Sequence, residues 1–493
     1  MNVKVISRNV GYALLVSALF MFLSILVSVS EGNDSALAAL LISFTITFIV
    51  GIFPFIFVRK SSAISLRDGY MIIVLSWLLS FIFGMLPYAL WGGPFTVVNA
   101  WFESVSGFTT TGATILENIE ALPDSLLFWR SSTHFIGGLG VVVFLLLIIP
   151  SSSQMRLRLT NLELSSLSKK EYRSGSGQTV YIFTYVYLGM AVASFLCYLL
   201  AGMSPFDAIN HAMSVTATGG FSTKNLSIAA FGSPAINIIT IFFMIAGSVH
   251  FGIIFMIFAT RSLKPLKNNV LRYYLGTIFV VAAIVSISLK LNGIERTWGD
   301  AIMSGVFQVS AYASTTGFAI SDNSVWPLLP CVLLLFVGIQ CGMAGSTTGG
   351  IKSDRMLYLV KAIARQRKRS VNPSSVTKIK VGNKFFSDEE VFPHILYITV
   401  FLVFVVLSMV LCLMFGANNH NAMSGTVASL ANVGPALGEI GSAGNYNGEP
   451  SMVKFIYTLD MLLGRLEIYP VIAALSIMFR RNKKLVRKAD DPV

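Results

Sequence analysis

Ten runs of apolar residues, each at or near the length needed to cross a lipid bilayer, dominate the chain. They lie at Val10–Val29, Ala36–Val58, Gly69–Leu90, Leu126–Ile149, Val180–Ala201, Ala235–Ala259, Val270–Leu291, Trp326–Cys341, Val391–Phe415 and Met452–Phe479. A spanning helix needs about 20 such residues. Inside a bilayer the backbone must satisfy its own hydrogen bonds, so these runs are expected to be helical. The composition agrees, because only 12% of the residues are charged, against about 25% in soluble domains. The 40 glycines suit helices that pack closely or break within the membrane. A signal peptide is the competing reading of the first run, since Lys4 and Arg8 precede it and Ala36-Leu37-Ala38 is small. The run exceeds the usual signal core of about 7–15 residues, and Glu31 and Asp34 stand before the candidate cleavage site, so it reads as a membrane helix.

The net charge of +13 would suit a nucleic-acid binder, but its distribution says otherwise. With an even number of spans, both termini share one side, and the segments 1–9, 59–68, 150–179, 260–269 with Arg272, 352–390 and 480–493 lie there. They hold 30 of the 36 lysines and arginines. The positive-inside rule makes this side cytoplasmic, and part of the charge can meet anionic lipid. The other side carries mainly acids, among them Glu103, Glu117, Glu120, Asp124, Asp207, Asp300 and Asp322. Cys197, Cys331, Cys341 and Cys412 lie in apolar stretches without CxxC spacing, which reads as packing and not as a disulfide framework or a zinc site.

Four outer connections, 91–125, 202–234, 292–325 and 416–451, each hold a short apolar helix pattern of 10–14 residues followed by a Gly/Thr-rich stretch. Runs of that length are too short to span and read as re-entrant segments. The stretches are Thr109-Thr110-Thr111-Gly112-Ala113, Ala217-Thr218-Gly219-Gly220-Phe221, Ser314-Thr315-Thr316-Gly317-Phe318 and Ala431-Asn432-Val433-Gly434-Pro435. Aligned on Gly112, Gly220, Gly317 and Gly434, they repeat at separations of 108, 97 and 117 residues, with a small residue (Ser106, Ser214, Ala311, Ala428) six positions before each glycine. A single stretch would be an ordinary loop turn. Four in register, each between two spans on the outer side, point to a cation filter, where rings of backbone carbonyls replace the hydration shell of the ion. Glycine allows the backbone to aim successive carbonyls inward, and the C-terminal ends of the short helices favour a cation.

With these residues the chain resembles the superfamily of Trk, Ktr and HKT potassium transporters, and most of all the TrkH-type bacterial membrane subunit, over nearly its whole length. The resemblance implies an all-α polytopic membrane protein with two extra N-terminal helices and four helix–pore-loop–helix repeats around a pseudo-fourfold pore. The corresponding segments are 1–68, then 69–179, 180–269, 270–390 and 391–493. It also implies a glycine at each filter position, with potassium held by Thr110, Thr111, Gly112, Thr218, Gly219, Gly220, Thr315, Thr316, Gly317, Asn432, Val433 and Gly434. The fourth stretch departs from the Thr-rich pattern through Asn432 and Val433.

The run at Trp326–Cys341 is followed by Gly342-Met343-Ala344-Gly345-Ser346-Thr347-Thr348-Gly349-Gly350, which holds helix poorly. The break lies roughly 24 Å down the helix at 1.5 Å per residue. It resembles the intramembrane loop of TrkH-type proteins, which obstructs the pore, so Gly345, Ser346, Thr347, Thr348, Gly349 and Gly350 are expected to form a gate. The plainer reading is a flexible cytoplasmic linker, and Lys352 lacks the GxxxxGK[ST] context of a phosphate-binding loop. Arg465 lies roughly 20 Å down the last run, at a similar depth. An ionisable residue inside a span is a functional candidate, and the resemblance implies a pore-facing arginine that repels cations. The alternative is a structural pair with Glu467 or Asp460. Arg130, His134 and His250 read as packing residues, and His211, His394 and His420 show no metal-ligand spacing.

No soluble segment is large enough to bind a nucleotide, so no cofactor is expected in this chain, and potassium is its expected substrate. The resemblance implies a homodimer in the bacterial inner membrane, seated on a cytosolic TrkA-type ring that binds the regulating nucleotide, ATP/ADP or NAD/NADH. The loops 150–179, 260–269 and 352–390 are the surfaces open to it. An ion-coupled symporter with alternating access competes with the gated pore, while a membrane enzyme finds no HExxH, GxSxG or paired catalytic carboxylates.

Overall fold

The computed structural model describes residues 2–58, 65–148, 176–372, 378–381 and 384–487. The segment 150–179, expected as a cytoplasmic loop, thus lies almost wholly outside the described residues. The chain is helical and membrane-embedded. Six of its helices are long and apolar enough to span, or up to eight when each of two bent pairs counts as one span, among the described residues. The two other runs expected from the sequence are a 25-residue helix, Asp124–Ile148, and a 13-residue helix, Leu328–Gln340.

α1 (Val3–Ser30) and α2 (Leu37–Phe57) form an antiparallel pair. Gly11 lies against the Gly51 carbonyl, and Arg8 donates to the carbonyl of Val58 at 2.9 Å. Four groups of helices follow. The first holds α3 (Leu66–Gly84), α4 (Leu86–Trp91), α5 (Val97–Phe108) and α6 (Asp124–Ile148). The second holds α7 (Ser176–Leu200), α8 (Pro205–Thr216), α9 (Pro234–Ser248) and α10 (Phe251–Thr260). The third holds α11 (Asn269–Leu291), α12 (Trp298–Ala313), α13 (Leu328–Gln340) and α14 (Ser353–Val371). The fourth holds α15 (Asp388–Met414), α16 (Asn419–Leu430), α17 (Ser451–Arg465) and α18 (Tyr469–Arg487).

The short helices α5, α8, α12 and α16 start alike. The side chains of Thr96, Ser204, Thr297 and Asn418 each accept a hydrogen bond from a backbone N–H of the first turn. Such caps satisfy donors that a helix start would otherwise leave open. Buried apolar clusters join the groups in a ring. Phe102 and Trp129 of the first group pack in one cluster with Tyr457 and Met461 of the fourth. Other clusters join α7–α9 to Phe307 of α12, α11–α13 to Tyr397 and Phe401 of α15, and Phe135 and Leu139 of α6 to Phe183 and Tyr187 of α7.

Two features differ from expectation. The sequence suggests one broken inner helix, after Cys341, but the runs Ala235–Ala259 and Met452–Phe479 are broken too. α9 meets α10 at 102°, and α17 meets α18 at 105°. At the first bend His250 caps α10, its Nδ1 accepting from Gly252 N–H at 2.9 Å. At the second, Glu467 and Ile468 adopt φ of 58° and 54°, a region that β-branched residues rarely enter. The chain is also not purely helical. A short antiparallel hairpin, β1 (Ile379–Val381) and β2 (Lys384–Phe386), follows α14, with Ile379 paired to Phe386.

Candidate functional site

The four Gly/Thr-rich stretches follow one backbone course. Each short helix ends four residues before the aligned glycine, and the next residue (Thr109, Ala217, Ser314 or Ala431) caps it in the right-handed region. The following residue turns left-handed, with φ of 53°, 53°, 52° and 55° at Thr110, Thr218, Thr315 and Asn432. The glycines repeat that sign, with φ of 79°, 85°, 74° and 91° at Gly112, Gly220, Gly317 and Gly434. The small residue six positions before each glycine accepts a hydrogen bond through its carbonyl. The donors are Thr111, Gly219, Thr316 and Val433, each at 2.9 Å. This six-to-one bond defines a Schellman cap, here built on three threonines and one asparagine where glycine is usual. Asparagine tolerates the left-handed region better than most residues. Its side chain also acts as a tie, since Asn432 Nδ2 donates to Thr111 Oγ1 at 3.0 Å and to the Met461 carbonyl at 2.9 Å.

The glycines close the stretches into a ring. A β-carbon on Gly112 would overlap the carbonyl oxygen of Gly219, one on Gly220 that of Thr316, one on Gly317 that of Val433, and one on Gly434 that of Thr111. Each glycine therefore abuts the carbonyl just before the glycine of the next stretch, and the fourth returns to the first. Eight of the twelve expected filter residues make these contacts, and the other four, Thr110, Thr218, Thr315 and Asn432, form the left-handed turns just before them. On the outer side all four glycines line a cavity of about 170 Å³, together with Glu117, Lys224, Asn225 and Tyr446.

The loop after α13 lies directly under the ring and touches the second, third and fourth groups. Thr347 donates through Oγ1 to the Gly247 carbonyl at 3.1 Å and accepts from Thr218 Oγ1 at 3.2 Å. Gly349 N–H donates to Thr315 Oγ1 at 3.1 Å, and its α-carbon sits against Ala431 and Asn432. Gly345 receives Phe251 N–H on its carbonyl at 3.0 Å and packs on the His250 ring. Ser346 bonds Met343 and Thr348, and Gly350 turns at φ 59° against Cys341. Arg465 donates to the Thr347 carbonyl at 2.6 Å and to the Gly137 carbonyl of α6 at 3.0 Å. It thus bridges the loop and the first group. Its two expected acidic neighbours are engaged elsewhere, Glu467 with Arg355 at 2.6 Å and Asp460 with Ser408 at 2.6 Å.

Lys352 belongs to this site, although its sequence context gave no reason to include it. It is buried, and its ammonium donates to the Thr348 carbonyl. Adjacent carbonyls of the loop, Thr347 and Thr348, are therefore each capped by a cationic side chain. Cys341 holds the start of the loop, its thiol lying 2.6 Å from the Gly349 oxygen and 3.2 Å from that of Ile351. Arg130 and His134, assigned to packing from the sequence, stand behind the ring. Arg130 meets Glu103 at 2.8 Å, and His134 stacks on Phe221 at 4.0 Å. His394 lies outside the ring, stacked on Tyr358 at 5.0 Å. No cluster of metal-ligating side chains occurs among the described residues.

Comparison with known proteins places these features in a family. A profile of the TrkH family, described as cation transport protein, matches residues 37–485. The Trk system potassium uptake protein TrkH of Escherichia coli K12 is 33% identical over 427 residues, covering 86% of this chain and 88% of that protein. The TrkH protein of Vibrio parahaemolyticus is 32% identical over 487 residues, covering 98% of this chain and 100% of its own length. The TrkG protein of Escherichia coli K12 is 32% identical over 494 residues. The crystal structure of the potassium transporter TrkH from Vibrio parahaemolyticus superposes with a TM-score of 0.86 at 31% identity, covering 96% of this chain and 98% of that one. This chain, matched along nearly its whole length by profile, sequence and structure, belongs to the TrkH family of cation transport proteins.

Proposed function

We propose that the chain takes up potassium through a gated, channel-like pore in the bacterial inner membrane, with the glycine ring as its selectivity filter. It is a transporter and not an enzyme. The observation that carries the reading is the closed approach of each glycine to the carbonyl of the next stretch. Four carbonyl-bearing segments at one level are what a dehydrated cation needs, and the short helices add the negative ends of their dipoles from below. The loop at 345–350 acts as the gate, with Arg465 opposing cations in the cavity. A cytosolic nucleotide-binding ring of the TrkA type relieves it, acting on a homodimer of this chain through α14, which starts three residues after Gly350. The test is ion-replacement flux in liposomes holding the purified chain. Potassium flux well above sodium flux supports the reading, and equal fluxes overturn it.

A second reading, coupled symport, draws on Asp460. This carboxyl is buried in α17 with Ser408 as its bonded neighbour, and intramembrane carboxyls carry protons in coupled carriers. Uphill potassium accumulation driven by an imposed proton gradient, lost in Asp460→Asn, would favour it.

A further inference from the structure

Nine positions before each filter glycine the short helices carry Glu103, His211, Gln308 and Gly425. The first three reach behind the ring to the segment just outside it. Glu103 accepts from Thr114 Oγ1 at 3.0 Å and from Ile115 N–H at 3.1 Å. His211 Nε2 meets Ser222 Oγ at 2.9 Å, and Gln308 donates to the Ser321 carbonyl at 2.8 Å. At the fourth, where glycine offers no side chain, tyrosines take over. Tyr446 donates to the Gly434 carbonyl and Tyr312 to that of Ala436, each at 2.8 Å.

A further strut, which also crosses between stretches, is the one built from two buried charges. Arg130 on α6 donates from Nε to Glu103 at 2.8 Å and from Nη1 to the Ser222 carbonyl at 3.1 Å. Its guanidinium also lies 4.1 Å from the centre of the Phe221 ring, the residue after Gly220. Arginine and glutamate are 1% and 0% exposed. Leaving one of two such buried charges without the other is strongly destabilising, so the pair is held to one geometry. The planar fork of arginine can reach a carboxylate and a carbonyl at fixed angles, which a lysine cannot do.

We propose that Glu103 and Arg130 are positioning residues that set potassium over sodium selectivity by locking the outer ends of the first two filter stretches at a fixed separation. The proposal rests on the filter reading given above. Neither side chain reaches the ring of glycines. They act through Thr114 and Ser222, each two residues beyond its glycine. Loosening them lets the first two carbonyl segments relax toward an ion of another size.

The experiment compares potassium and sodium permeability in liposomes for Arg130→Lys, Arg130→Gln, Glu103→Gln and Thr114→Val, with Gly112→Ser as the control for the ring itself. The permeability ratio should fall in Arg130→Gln by up to about a hundredfold, the scale on which an ångström of misplacement acts at a preorganised site. Thr114→Val keeps shape and removes the hydroxyl that donates to Glu103 and accepts from Arg130 and from Leu116 N–H, so it carries the test where the charge variants do not fold, with a smaller fall in the same direction. Potassium flux itself should persist, which a general loss of structure would not allow. A wild-type ratio in both Arg130→Lys and Thr114→Val, beside a lowered ratio in Gly112→Ser, overturns the clamp and leaves the filter standing. An unchanged ratio in Gly112→Ser as well overturns the filter reading on which the clamp depends.

Discussion

At the scale of single residues, the two cationic side chains under the ring make the sharpest prediction. A unit charge about 4 Å from a passing cation opposes it by about 4 kcal/mol at an effective dielectric of 20. Arg465 and Lys352 cap neighbouring carbonyls of one loop, so each should hold the resting state closed. Arg465→Ala and Lys352→Met should each raise basal flux by about tenfold or more, without altering the potassium to sodium ratio. Because both act on the same loop, their effects should combine non-additively, a coupling that the double variant measures directly. Basal flux at the wild-type level in well-folded Arg465→Ala would mean that its bonds to Thr347 and Gly137 only brace the helices. The glycines make a complementary prediction, since any side chain there must displace a carbonyl. Gly112→Ser and Gly434→Ser should both lower the ratio, by up to about a hundredfold, read from reversal potentials or paired fluxes. The glycines of the ring could be read from the sequence because a left-handed backbone pressed against a carbonyl restricts residue type there, whereas the threonines could be read only through their repetition. Lys352 could not, because only the fold-back of the loop brings its ammonium over Thr348.

At the scale of elements, the inner helices of the first, second and fourth groups share a packing logic. Gly137 sits under the Phe108 carbonyl, Gly247 near that of Thr216, and Gly464 under that of Leu430. Close approach at these glycines lets an inner helix pass directly below the end of a short helix. Adding one methyl at a tight backbone contact overpacks it by about 1–3 kcal/mol. Gly464→Ala and Gly137→Ala should therefore lower the thermal midpoint of the purified protein, whereas Ala at Gly189, where nothing lies within 4 Å of the added carbon, should not. An unchanged midpoint in both would show that the helices can slide apart freely. The break after Cys341 was legible because Gly342–Gly350 is poor in helix formers. Those at Val249–His250 and Leu466–Ile468 were not, because none of these residues is a breaker. Tertiary partners impose them, with His250 turned to cap α10 and Glu467 drawn to Arg355. Arg355 stands two residues into α14 and lies 3.9 Å from the Tyr397 ring. The bend in the fourth group and the exit of the gate loop are thereby fastened together. The hairpin β1–β2 was hidden for a simpler reason, since three-residue strands leave too short a pattern to read.

At the scale of the whole molecule, the proposed control by a cytosolic ring requires a surface on which that ring can act. The described face available to it is built by α14 and the hairpin, where Arg365 and Arg369 both reach Asp388 at the start of α15. Exposed pairs of this kind contribute little to stability, about 0–1 kcal/mol, so the face can be remodelled on docking. Flux through the chain alone in liposomes should ignore ATP, ADP, NAD and NADH. Adding the purified cytosolic ring should make it respond, and charge reversal at Arg365 with Arg369 should weaken the response. A nucleotide effect on the chain by itself would contradict this division of labour. Ring closure has a further consequence, one for biosynthesis. Asn432 donates to Thr111 across 321 residues of chain, and Gly434 meets the same threonine. Chains insert from the N-terminus onward, so the first three walls must wait in the bilayer with an open seam until the last segment leaves the ribosome. A product that ends between the third stretch and Leu430 lacks the segment that joins Gly317 to Thr111, so synthesis of the last group is the step that closes the ring.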